Sequence, residues 1–200
     1  MELIKEMKLY AKKNNIPIIE DEGLEILLQL IKENQPKRIL EIGTAIGYSA
    51  LLMHLESNAE IFTIERDIVR YNIAKKNLKN YTKIKIINDD ALLLDNKNLG
   101  LFDFIYFDGA KSQNINFFEK YQKNLNENGI IVIDNLFFHG LLFKDENELP
   151  SKNMKQMMRK LKKFIKYAEE LKGYKFEIID KGDGIGILRR NNEIYSNAVW

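Results

Sequence analysis

Two carboxylates and an amide, Asp108 and the pair Asp134-Asn135, each follow a short apolar run ending in FDFIYF and GIIVI. If those runs are adjacent parallel strands, three oxygen donors converge at neighbouring strand tips. Oxygens alone suit a hard divalent cation whose remaining positions water or substrate can fill. No histidine or cysteine stands near them to favour zinc. The alternative is that Asp134-Asn135 makes an Asx-type turn with no ion. Lys111 lies three residues after Asp108, at the start of an expected helix. Beside other positive charge its ammonium form is disfavoured, which would lower its pKa and allow it to act as a general base; otherwise it is an exposed surface lysine.

A second constellation is the run RILEIGTAIG, Arg38 to Gly47, in which Ile39, Leu40 and Ile42 read as a buried strand. Gly43 and Gly47 allow a sharp turn with bare N–H groups facing a ligand, and a helix opens at Tyr48. The pattern is E-x-G-x-x-x-G, not the G-x-G-x-x-G of a dinucleotide site. Glu41 suits a ligand carrying positive charge, so the spacing favours S-adenosylmethionine over NAD; a turn with no ligand is the third option. Ser49 can cap the helix and meet a cofactor carboxylate. Glu65 ends the next strand, 22 positions after Gly43, where a carboxylate can accept ribose hydroxyls. Asp89-Asp90 ends the third, near where an adenine amino group would lie. Each acid alone is an ordinary strand terminus, but together they line one sheet edge, where ligands of open parallel sheets bind.

The elements that must position these residues follow from periodicity. Met1 to Asn14 is an amphipathic helix with Leu3, Ile4, Met7 and Ala11 on one face, ended by Pro17. Asp21 to Glu33 is a second, burying Leu24, Leu27, Leu28 and Ile31. Strands are expected at 60–65, 84–88, 102–107 and 129–133, with helices at 48–56, 68–80 and 112–124. The helix 112–124 turns Phe117, Phe118 and Tyr121 inward. Lys152 to Lys172 is the longest helix, and 176–180 and 185–189 form a hairpin around Lys181-Gly182-Asp183-Gly184. The fold class is α/β: a doubly wound, seven-stranded, mostly parallel sheet with an antiparallel last strand. One domain covers 1–200, with N-terminal helices over 1–35, an α/β core over 36–190 and a tail over 191–200.

The 200 residues are 45% hydrophobic and 30% charged, with net charge +2. That is ordinary globular composition without a global polyanion-binding signature. The absence of cysteine excludes disulfides and thiolate catalysis and fits a cytoplasmic location. No apolar run is long enough to span a membrane, and MELIKEMKLY has no apolar signal core. Between Lys152 and Lys175, nine basic residues face only Glu169 and Glu170. Such a run is either a solvated face or a surface that steers RNA or phosphorylated substrates. His54 reads as structural, and His139 as a loop residue near a substrate mouth.

The motifs EIGTAIGYSA, TIER, NDDAL, FDGAK, VIDN and GDGIG occur in order. Over Ile4 to Arg189 the chain resembles the small cation-dependent O-methyltransferases of the catechol and caffeoyl-CoA type, and within them it looks most like the bacterial tRNA 5-hydroxyuridine methyltransferases. The resemblance implies S-adenosylmethionine held by Ile19, Gly43, Ser49, Glu65, Asp90, Ala91 and Asp108. It implies magnesium, or another divalent cation, on Asp108, Asp134 and Asn135, with Lys111 as base. The implied product is 5-methoxyuridine in the tRNA anticodon loop, and the implied assembly a homodimer. A small catechol or other phenolic acceptor is the alternative, and a non-catalytic RNA-binding protein on the same fold a third.

Overall fold

The computed structural model describes residues 2–191, so the expected tail lies almost wholly outside the described residues. The strands are β1 (Arg38–Ile42), β2 (Glu60–Glu65), β3 (Ile84–Asn88), β4 (Phe102–Phe107), β5 (Leu125–Ile133), β6 (Tyr174–Ile179) and β7 (Ile185–Arg190). They form one sheet in the order β3-β2-β1-β4-β5-β7-β6. The first five are parallel, and β7 runs antiparallel between β5 and β6. This is the expected doubly wound sheet. Its order reverses between β1 and β4, which places the ligand crevice beyond their carboxyl ends.

The helices are α1 (Glu2–Lys13), α2 (Asp21–Asn34), α3 (Tyr48–Ser57), α4 (Ile68–Asn77), α5 (Asn114–Tyr121) and α6 (Lys152–Glu169). Both faces of the central strands are covered, which is why β1, β4 and the end of β5 read as near-continuous apolar runs. On one face Ile39, Phe104, Tyr106 and Val132 pack against Met7, Leu27, Ile31 and Leu51 of α1, α2 and α3. On the other, Leu40, Ile105, Phe107 and Ile131 meet Phe117, Phe118 and Tyr121 of α5 and Met158, Leu161 and Phe164 of α6.

Local chemistry sets several boundaries. The Asp67 carboxylate caps α4, accepting the N–H groups of Val69 (2.8 Å) and Arg70 (2.9 Å). Ser151 caps α6 by accepting from Met154. Several details depart from the sequence expectation: α4 ends at Asn77, α6 ends at Glu169, and β6 runs from Tyr174 to Ile179. Strand β5 starts at Leu125 rather than Gly129, because Leu125 pairs with Phe102 across an irregularity in the ladder and Asn126 donates to Asp103. The helix after Lys111 is shorter, with 3₁₀ turns at 111–113 and 122–124. Helix α2 buries Gly23 and Leu30 as well as Leu27 and Ile31, while Leu28 is only half-buried. Gly182 of the β6–β7 turn must be glycine because it lies on α2: a Cβ there would stand 2.6 Å from the Gly23 Cα, at φ 58°.

Candidate active site

The glycine turn after β1 brings two strand tips together. Gly43 adopts φ 104°, and a Cβ there would stand 2.7 Å from the carbonyl oxygen of Asp108. Only glycine fits such a contact with such a backbone. The expected row of bare N–H groups is not what the turn presents. The N–H groups of Gly43 and Thr44 go to the Ile64 carbonyl, and that of Gly47 to Thr44. The Ala45 N–H is bound by the Glu65 carboxylate at 2.8 Å. The other Glu65 oxygen accepts from Asp67 N–H at 2.9 Å, so this carboxylate is fixed at the tip of β2 and ties the turn to it.

Glu41 departs from its expected position. It is fully buried under the turn, outside the cleft, where it accepts hydrogen bonds from Ser49 Oγ and, at 2.5 Å, from Thr63 Oγ1. Thr63 Oγ1 lies 2.6 Å from Thr44 Oγ1, so four polar side chains form one buried chain. Burial pushes the Glu41 carboxyl up to about 8, against the lowering effect of its two hydroxyl partners. Ser49 is committed to this network; it does not cap α3, whose first residue follows Gly47.

The tips of β4 and β5 carry the oxygen set. Asp108 and Asp134 flank Lys111, whose Nζ lies 3.0 Å from Asp108 Oδ1 and 4.0 Å from Asp134 Oδ2. Asn135 follows at φ 57°, a left-handed conformation asparagine tolerates better than most residues. Its Oδ1 is buried without a hydrogen-bond partner among the described residues. A buried acceptor left unpaired costs about 1–3 kcal/mol, so this oxygen is in need of a ligand. No group of three or more His, Cys, Asp or Glu side chains able to hold a metal occurs among the described residues, and the Asn135 amide is what completes the set. Two carboxylates and one unpartnered amide oxygen fit a hard cation. Burial raises Asp134 to about 6, against the pull of Lys111. Lys111 itself reverses the sequence expectation. Burial lowers its pKa, but Asp108 and Asp134 together outweigh that, and the net shift is upward. The protein's own charges hold it as an ammonium.

These groups open on one cleft of about 930 Å³. Of the expected cofactor residues, Ile19, Gly43, Glu65, Asp90, Ala91 and Asp108 line it; Ser49 does not. Asp134, Asn135 and Lys111 line it too. His54 lies elsewhere, its Nδ1 2.8 Å from the Ala59 carbonyl, and is structural as expected. His139 does reach the mouth. Sequence reasoning missed Arg66, 3.9 Å from Asp90, together with Arg70, Met157 of α6, and Asp183 of the β6–β7 turn. The sequence signal for Asp183 was the GDG turn, which by itself marks only a hairpin.

Residues 1–191 match the family described as O-methyltransferase. The chain belongs to that family. It is an S-adenosylmethionine-dependent O-methyltransferase of the caffeoyl-CoA type. Among curated relatives, Tapetum-specific methyltransferase 1 of Arabidopsis thaliana is 30% identical over 94% of this chain and 86% of its own length. Among solved structures, a Staphylococcus aureus protein described as a candidate caffeoyl-CoA O-methyltransferase is 34% identical, with TM-score 0.88, covering 94% of this chain and 92% of that one. The S-adenosylhomocysteine-bound methyltransferase PaMTH1 of Podospora anserina is 26% identical, with TM-score 0.73, covering 84% of this O-methyltransferase and 77% of its own chain.

Proposed function

We propose that this O-methyltransferase methylates a hydroxyl that has a second oxygen beside it, and that the acceptor is 5-hydroxyuridine at the wobble position of a tRNA anticodon, giving 5-methoxyuridine. The observation that carries the first half is the unpartnered Asn135 Oδ1 beside Asp108 and Asp134 in the cleft. Those three residues would hold a divalent cation. When bound, it would supply the acidity that makes an acceptor hydroxyl an oxyanion near neutral pH. Catechols and 5-hydroxyuridine both offer two adjacent oxygens, so one site chemistry serves either.

The chain's own residues do the rest. Glu65, fixed by two backbone N–H groups, offers its carboxylate to the ribose hydroxyls of the methyl donor, and Asp90 lies at the adenine end. Asp108 orients Lys111 through the 3.0 Å contact. Lys111 is the proposed base; Asp108 and Asp134 hold it protonated, so it first gives its own proton to solvent at the open cleft and then takes the acceptor's. Alignment of donor and acceptor supplies much of the remaining rate.

The tRNA half is supported by α6. Its Met157 lines the cleft, while Lys152, Lys160, Lys162 and Lys163 are exposed along the same helix. Among the described residues, ion pairs on α6 engage only Arg159, with Glu146, and Lys166, with Glu170. A basic face beside the cleft suits phosphates flanking a base splayed from a loop. A small phenolic acceptor is the second reading, favoured by the caffeoyl-CoA-type relatives and by Phe117, Phe138 and Met157 lining the cleft. Incubation with methyl-labelled donor, magnesium, and either hypomodified tRNA or a catechol panel decides between them. Label in tRNA alone supports the first reading and label in catechol alone the second. Donor binding without transfer to either would overturn both acceptor readings.

A further inference from the structure

The turn between β6 and β7 is remote in sequence from the cleft, yet it reaches back into it. The Asp183 carboxylate, 15% exposed, accepts the backbone N–H of His139 with both oxygens, at 2.8 and 2.6 Å. The main chain of the same turn accepts the preceding N–H groups, Leu136 to the Gly184 carbonyl (2.8 Å) and Phe137 to the Asp183 carbonyl (2.9 Å). The turn therefore brackets the segment that leaves Asn135. That segment needs a bracket, because Phe138 and His139 take φ 47° and 57° in succession, a conformation bulky residues rarely adopt. Strained backbone of this kind persists only where its surroundings over-determine it. Phe138 and His139 also line the cleft, and they follow Asp134 and Asn135, which line it too, by only a few residues along the chain.

The turn cannot slide to follow a moving loop. Gly182 is pressed on Gly23 of α2, its N–H donates to Glu22 at 3.1 Å, and a Cβ at Gly184 would stand 2.6 Å from the Phe137 ring. Asp183 is thus a rigid post, anchored to α2, from which the acceptor-side wall hangs.

We propose that Asp183 is a positioning residue for the acceptor: its carboxylate, by holding the His139 N–H, sets the Phe138–His139 wall and so the shape of the mouth that admits the substrate. The inference rests on the reading of this cleft as a methyl-acceptor site. It predicts a division of labour, with the donor end of the cleft indifferent to Asp183 and the acceptor end dependent on it.

Two variants separate the carboxylate from the backbone. Asp183→Gly removes the acceptor oxygens at a φ of 62° that glycine adopts freely, whereas Asp183→Asn keeps one acceptor oxygen. Amide exchange over 136–143 should rise at least about fivefold in Asp183→Gly, with the rest of the chain unchanged. The KM for whichever of hypomodified tRNA or catechol the wild type labels should rise at least about fivefold, with kcat and S-adenosylhomocysteine affinity within about twofold. Asp183→Asn should restore both. Unchanged exchange in Asp183→Gly overturns the proposal, as does raised exchange with an unaltered KM, or an Asn variant that behaves like Gly. A wild type that labels neither acceptor refutes the acceptor assignment instead, and the exchange comparison then decides alone whether Asp183 holds the wall.

Discussion

Lys111 donates to Asp108 over 3.0 Å, from three residues further along the chain, in a pair only 11% and 23% exposed. A lysine so placed is shielded from water but not neutral, because two carboxylates outweigh its desolvation. Its role is therefore tied to the charge balance of the site. Lys111→Ala should lower kcat by roughly 10²–10⁴-fold, the usual contribution of a positioned acid or base, with S-adenosylhomocysteine affinity nearly unchanged. Steady-state kinetics with calorimetric binding checks this. A variant that keeps its kcat removes Lys111 from the chemistry.

Glu41 makes a pH-dependent stability prediction. Its carboxyl ionises near 4.5 in an unfolded reference and near 8 in the folded protein. The folded state thus holds the proton over that window. The stability this contributes is complete below the lower value and is lost as pH rises through the upper one. Glu41→Gln cannot ionise, so relative to wild type it should gain on the order of a few kcal/mol between about pH 5 and pH 9. Urea unfolding at the two pH values measures it. Parallel pH profiles for the two proteins would show that Glu41 is charged in the fold.

Gly43 tests the approach of β1 to β4. Alanine there meets the Asp108 carbonyl at 2.7 Å with φ 104°, so the two tips must separate. Gly43→Ala should cost roughly 2–4 kcal/mol in urea unfolding and also weaken S-adenosylhomocysteine binding. A stable variant with intact binding would show that the close contact is dispensable.

The face of α6 tests the tRNA reading separately from the chemistry. Replacing Lys155, Lys160 and Lys163 with glutamate should weaken tRNA binding and reduce the magnitude of its log–log salt slope by up to about 3. A filter-binding series in salt reads both quantities. Unchanged binding would take this helix off the RNA surface.

The sheet was legible in the sequence because parallel strands buried on both faces must be apolar throughout. Their tips were legible as a site because parallel strands end on one edge, which gathered Glu65, Asp90, Asp108 and Asp134 in advance. What escaped depended on facts no local pattern carries. Glu41 points under α3 because alternation along β1 puts it on the face of Ile39, and that took Ser49 with it. The direction of the Lys111 shift follows from a balance of burial against two carboxylates, one of them on the next strand. The apolar run of β5 begins only at Gly129, but a bond from Asn126 to Asp103 and the pairing of Leu125 with Phe102 extend the strand back to Leu125. Asp183 reaches the cleft only through tertiary packing of a hairpin on α2.

Asp108, Asp134 and the unpartnered amide of Asn135 should make the transfer depend on a divalent cation. The most direct measurement follows transfer of labelled methyl in wild type, Asp134→Ala and Asn135→Ala, with chelator and then with magnesium restored. Chelator should abolish wild-type transfer, and magnesium should restore it. Each variant should lose at least about a hundredfold in transfer while still binding S-adenosylhomocysteine. Full wild-type transfer in chelator, or an Asn135→Ala enzyme as active as wild type, would contradict it.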